Sequence, residues 1–153
     1  MARIEVELPG NFNFTTEISV RISDINYGGH VGNDTVLTLA HEARVRFLNK
    51  AGYGELNIEG TGIIISDAAV EYKSELFYGD NVIISIKALN FTKHGFDLFY
   101  KMEKNSKNDN PDDRVRQANI LVAKIKTGVL CYDYSKKKIA PLPENAAKKI
   151  AEL

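Results

Sequence analysis

The sequence predicts an α+β fold in which one curved antiparallel sheet wraps a single long helix. Three features predict it. A helix-period stretch of about 18 residues is apolar over much of its circumference. Short strand-like segments flank it and then fill most of the chain that follows. A single sheet is the only remaining element able to bury such a helix. With 153 residues the chain is read as one domain, 1–153, with room for a sizeable core. A half-wrapped sheet leaves a face or an edge open, so a homodimer is expected.

Residues 14–23 predict the first strand, with Ile18, Val20 and Ile22 alternating with Glu17, Ser19, Arg21 and Ser23. A glycine-rich stretch follows, Asp24 to Asp34. The helix is expected from about Asp34 to Ala51, with Asn33 or Asp34 as N-cap and Gly52 as the stop. Val36, Leu37, Leu39, Ala40, Ala43, Phe47 and Leu48 cover a wide arc of it, so His41, Glu42, Arg44 and Arg46 need partners or a path to water. Strands are then expected at 62–75, 82–91, 96–103 and 115–132, joined by turns at 77–81 and 93–95. The polar run from Lys104 to Arg114 reads as an exposed hairpin loop. A short helix starts at Pro143.

Composition narrows the function. Twenty basic residues balance twenty acidic ones, which argues against a nucleic-acid binder with a basic footprint. No apolar run is long enough to span a membrane, and Met1 to Glu7 alternates charge and apolarity, unlike a signal peptide. One cysteine, Cys131, allows no internal disulfide and no multi-cysteine metal site, so a cytoplasmic setting is expected. No metal is expected.

The glycine-rich stretch gathers the chemistry. It sets ionisable and amide side chains at a helix N-terminus, where unpaired N–H groups and the dipole favour an oxyanion or phosphate. Arg21-Ile22-Ser23-Asp24-Ile25-Asn26, then Gly29-His30-Val31-Gly32-Asn33, then His41-Glu42-Ala43-Arg44 and Phe47-Leu48, resemble the hotdog-fold acyl-CoA thioesterases, most closely the 4-hydroxybenzoyl-CoA thioesterase branch. Tyr72 and Tyr78-Gly79-Asp80 fit the same pattern. The resemblance implies a five- or six-stranded sheet around the helix and a homodimer or a homotetramer of paired dimers. It also implies active sites at the dimer interface and hydrolysis of a thioester to coenzyme A or acyl carrier protein. No cofactor is implied, since coenzyme A is part of the substrate.

Two positions depart from the family pattern. Asn26 stands where the family carries its second Asp, and an amide is neither a general base nor a useful nucleophile. Gly32 stands where the first Asn of the pair would be, while Asn33 keeps the second.

Four residues are catalytic candidates. Asp24 activates water or attacks the thioester carbonyl, or else caps the following turn. Asn26 orients a water or the thioester oxygen, or forms an Asx-turn. His30 is a general base of the type that titrates near neutrality, or a histidine that bonds a loop carbonyl. Glu42 should have a raised pKa unless paired, and Arg46 lies at the spacing for a pair. Substrate-binding candidates are Tyr27, Gly29, Asn33 and Asp34, the last two through backbone amides. His41 points about 100° away from Glu42 on the helix. Lys93, Lys124 and Lys126 are weaker candidates for phosphate contact than for solvated surface. Thioester hydrolysis is the expected activity. A non-catalytic acyl-CoA-binding module and a hotdog hydratase or dehydratase are the alternatives.

Overall fold

The computed structural model describes residues 1–106 and 118–153. Strand β1 (Phe14–Ser19) leads through a 3-10 turn (Ile22–Asp24) to helix α1 (Asn33–Lys50). Strands β2 (Gly62–Tyr72), β3 (Asn81–Leu89), β4 (Gly95–Lys104), β5 (Ile120–Asp133) and β6 (Lys138–Ile139) follow, then helix α2 (Glu144–Ala151). The strands form one antiparallel sheet in the order β1-β3-β4-β5-β2, and β6 pairs with β5. The expected α+β architecture is what the chain adopts. Among the described residues no helix is long and apolar enough to cross a membrane.

Helix α1 lies against the sheet through Val36, Leu39, Ala40, Ala43, Phe47 and Leu48, all buried. They meet the inward side chains of β3, β4 and β5 in one core that includes Ile84, Ile86, Leu98, Met102 and Ile125. Full burial of a side chain such as Phe47 or Leu48 contributes about 1.5–3 kcal/mol. Phe14 meets Phe47 edge-on at 5.3 Å, holding β1 to the helix. Helix α2 inserts Ala146 and Ile150 into the same core.

Several boundaries differ from expectation, each for a local reason. The first strand ends at Ser19, because the Asp24 carboxylate accepts the Arg21 backbone N–H at 2.8 Å and winds the chain into the 3-10 turn. Ile22, which continues the alternating pattern, is therefore exposed. The N-cap of α1 is Gly32, not Asn33 or Asp34. Strand β2 ends at Tyr72; the next two N–H groups, of Lys73 and Ser74, both turn to the Val122 carbonyl. The last long strand begins at Ile120, and residues 115–117 of the expected strand lie outside the described residues. Of the expected hairpin loop, Lys104 closes β4 and 107–114 lie outside the described residues. Strand β6 was not anticipated.

Candidate active site at the start of the central helix

The loop between the 3-10 turn and α1 closes on itself. The Asn26 N–H donates to the His30 carbonyl at 2.9 Å, and the Asn26 Oδ1 accepts the Gly28 N–H at 2.9 Å. Gly29 takes φ of +83°, a left-handed conformation that glycine adopts without steric cost, and its N–H donates to the Asn26 carbonyl at 3.1 Å. Val31 then donates its N–H to the Leu76 carbonyl at 2.9 Å, which moors the loop to the segment before β3.

This folding places a cavity of about 300 Å³ beside the first turn of α1. Val31, Val36, Leu76 and Val122 give it an apolar lining, and His30, Asn33 and Tyr72 supply polar groups. His30 Nδ1 lies 3.1 Å from the Val31 carbonyl. A carbonyl only accepts, so Nδ1 carries the proton and Nε2 is left as an acceptor in the neutral ring. Nε2 lies 3.9 Å from Glu75 Oε1, and a side chain at Gly28 would come within 3.2 Å of it.

Helix α1 starts without a side-chain cap on Gly32. Its first-turn N–H groups lack intrahelical acceptors. Of the two expected backbone amides, the Asp34 N–H is taken by Asn33 Oδ1 at 3.0 Å, and Asn33 itself lines the cavity. Gly32 is explained locally: a Cβ there would lie 2.6 Å from Asp34 Oδ1 and 3.4 Å from Asn26 Nδ2. The Asp34 carboxylate occupies the space an asparagine side chain would need. Burial, and then the charge of Asp34, hold the Tyr72 hydroxyl above its ordinary pKa. That hydroxyl donates to the Asn33 carbonyl at 2.8 Å.

The other candidates lie elsewhere or are engaged. Asp24 is buried, and both its oxygens face Arg21, through the backbone N–H at 2.8 Å and the guanidinium at 3.4 Å. Glu42 is half-exposed and pairs with Arg46 Nε at 2.9 Å. It lines a separate cavity of about 480 Å³ with Arg21, His41 and Arg46. Tyr27 stands fully in solvent. Lys124 and Lys126 pair with Glu71, Asp67 and Asp97. Burial pushes the Cys131 thiol up to about 11, which keeps it protonated at neutral pH. Among the described residues no cluster of His, Cys, Asp or Glu could hold a metal ion.

In the sequence Tyr72 stands out only as part of a strand pattern, and nothing singles out Glu55, Tyr100 or Thr127. Yet Arg44, Glu55, His41, Tyr100 and Thr127 form one connected polar network under α1. The only signal in the sequence was that the polar residues of so apolar a helix need partners.

Solved structures share this architecture. The 1,4-dihydroxy-2-naphthoyl-CoA thioesterase from Synechocystis is 22% identical, with a TM-score of 0.74 over 92% of this chain and 96% of that one. A gentisyl-coenzyme A thioesterase is 18% identical, with a TM-score of 0.73 over 90% of this chain and 100% of that one. A Thermus thermophilus thioesterase solved with coenzyme A and zinc is 19% identical, with a TM-score of 0.71 over 92% and 98% of the two chains. At these identities the likeness establishes the hotdog fold. No curated protein matches the chain. A family profile, however, matches residues 20–150, nearly the whole chain, and its family is described as the thioesterase-like superfamily. The sequence resemblance, the fold and this match agree, and the chain belongs to the thioesterase-like superfamily.

Proposed function

We propose that this protein hydrolyses an acyl-CoA or acyl-carrier thioester, with His30 activating the attacking water. The observation that carries this reading is the His30 ring. Its Nδ1–H is anchored on the Val31 carbonyl, and it lines an apolar cavity at an uncapped helix N-terminus. Nε2 takes a proton from water as the oxygen attacks the thioester carbonyl. The oxyanion forms beside the Asn33 N–H, where the helix dipole favours negative charge. The C–S bond then breaks, and the thiolate leaves with the proton that His30 carries. Asn26, held by its own loop bonds, shapes the turn that carries His30. The reaction needs no cofactor beyond the coenzyme A of the substrate.

Among the described residues strand β2 pairs on one side only and exposes Ile65 and Tyr72, which supports a homodimer built by joining this edge to a second copy. Tyr72 and Asn33 border the cavity, so the site would lie at that interface. The fold relatives named for acyl-CoA thioesterase activity support the substrate class.

A second reading has its own support. Asn26 is an amide, Asp24 is committed to Arg21 and Glu42 to Arg46, as in a module that binds acyl-CoA without cleaving it. Thiol release from a broad acyl-CoA panel separates the two. Hydrolysis is expected, with kcat falling roughly 100-fold in His30→Gln. Saturable binding with no release across the panel would establish the binding module instead.

A further inference from the structure

The cavity at the start of α1 brings one carboxylate to His30. Asn26 supplies an amide, Asp24 is held by Arg21, and Glu42 pairs with Arg46 in a separate cavity. Among the described residues the only carboxylate that lines the His30 cavity is Glu75, in the connection between β2 and β3. Its Oε1 lies 3.9 Å from His30 Nε2, the ring nitrogen left as an acceptor.

The backbone holds this spacing. Val31 and Leu76, the residues that follow His30 and Glu75, are joined by the Val31 N–H and the Leu76 carbonyl at 2.9 Å. Both side chains are buried, so the two segments are pinned to the core next to the pair. On the other side of Glu75, the Lys73 and Ser74 N–H groups donate to the Val122 carbonyl at 2.8 and 3.2 Å. Lys104 Nζ donates to the Glu75 carbonyl at 2.6 Å. The main chain around Glu75 is thus tied to β4, to β5 and to the loop that carries His30.

The side chain is less constrained. Among the described residues the Glu75 carboxylate has no partner besides His30, and Lys73 beside it in the chain is taken by Glu71 at 2.8 Å. With 63% of its side chain exposed, Glu75 meets water entering the cavity. A gap of 3.9 Å is too long for a hydrogen bond and short enough for one water to serve both groups. Such a water donates one O–H to Nε2 and the other to Oε1. Its lone pairs then point away from both acceptors.

We infer that Glu75 orients the attacking water, with His30 as the base. The inference rests on the thioesterase reading. The water oxygen bonds to the thioester carbon, its first proton passes to Nε2, and the carbonyl π pair moves onto the carbonyl oxygen. Glu75 keeps the second O–H in its hydrogen bond and faces the new imidazolium with its negative charge. When the C–S bond breaks, the thiolate takes the proton from Nε2. The acid product loses the second proton to solvent past Glu75.

The test measures thiol release from the acyl-CoA that the unaltered protein turns over fastest. Glu75→Gln should lower kcat roughly 30-fold and leave KM within about twofold. Formate added to Glu75→Ala should restore activity roughly tenfold, and should do nothing for His30→Gln. Adding Glu75→Gln to His30→Gln should slow that variant by no more than about threefold, because the two residues act on one water. Matching urea midpoints show that the variants fold alike. A Glu75→Gln variant with unchanged kcat overturns the inference. So does a loss that formate does not relieve, or one that multiplies fully with the loss in His30→Gln. Failure of the thioesterase reading looks different: the unaltered protein itself then releases no thiol from any acyl-CoA, and the role of Glu75 falls with it.

Discussion

The Tyr72 hydroxyl donates to the Asn33 backbone carbonyl over 2.8 Å, and so ties the last residue of β2 to the first residue of α1. The bond holds the end of β2 against the helix start, where the thioester carbonyl is proposed to sit. Tyr72→Phe keeps the ring and removes the bond. Because the residue is half-exposed, the stability loss should be about 0.5–1 kcal/mol by urea denaturation. The loss in kcat/KM should be larger, roughly tenfold, because the first turn of α1 is then free to shift from its position against the cavity. A variant as active as the unaltered protein would show that β2 does not position the helix start.

The ion pair of Arg44 and Glu55 makes stability depend on pH in a known direction. Burial pushes the Glu55 carboxyl up, but hydrogen bonds from Arg44 and His41 outweigh it and hold the group below its ordinary 4.5. A depressed folded-state pKa contributes stability that is present above the unfolded value and is lost as pH falls through the folded one. Glu55→Gln should therefore cost about 2 kcal/mol at neutral pH. That deficit should shrink steadily as pH drops below 4.5. Chemical denaturation of both proteins across this range measures it. A deficit that stays constant down to strongly acid pH would mean the carboxylate charge contributes nothing.

Gly32 yields a coupling experiment. Its φ of −66° and ψ of 156° suit any residue, so Ala brings no backbone strain and would be expected to stabilise by about 0.5 kcal/mol through the unfolded chain. The new Cβ, however, would lie 2.6 Å from Asp34 Oδ1. Gly32→Ala should instead destabilise by about 1 kcal/mol, because the carboxylate must leave its place at the N-terminus of α1. In an Asp34→Ala background the same substitution should become neutral or stabilising. A double-mutant cycle with no coupling between the two positions would rule this out.

The fold was largely legible because its elements have clear periods. Helix α1 reads as a central helix from its apolar arc, and β3 to β5 read from alternation. Local polar chemistry was harder to see. Ile22 extends the strand pattern of β1, but the bond from Arg21 N–H to Asp24 competes with the ladder and wins. The polar network under α1 was invisible for a different reason. Arg44, Glu55, Tyr100 and Thr127 are far apart in sequence, and only the pairing of β4 with β5 and the path of the 51–61 loop bring them together. The glycine-rich stretch was recognisable as the place for chemistry. Which of its side chains face a cavity depends on the turn that Asn26 and Gly29 make.

Asn26 offers the sharpest test of how this chain departs from its family. Its Oδ1 accepts the Gly28 N–H at 2.9 Å, a bond that a carboxylate can make equally well, so Asn26→Asp should fold. The replaced Nδ2 points toward Gly32, over which the Asp34 carboxylate also lies. Two like charges would then share one turn, and each raises the pKa of the other. Asn26→Asp should hydrolyse acyl-CoA roughly tenfold faster than the unaltered protein at neutral pH, where the new carboxylate is ionised and can act as a base. Adding Asp34→Asn should move the acid limb of its pH–rate profile to lower pH, since the repulsion is gone. If Asn26→Asp is no faster at any pH, the missing carboxylate does not limit the reaction, and the water is activated by His30 alone.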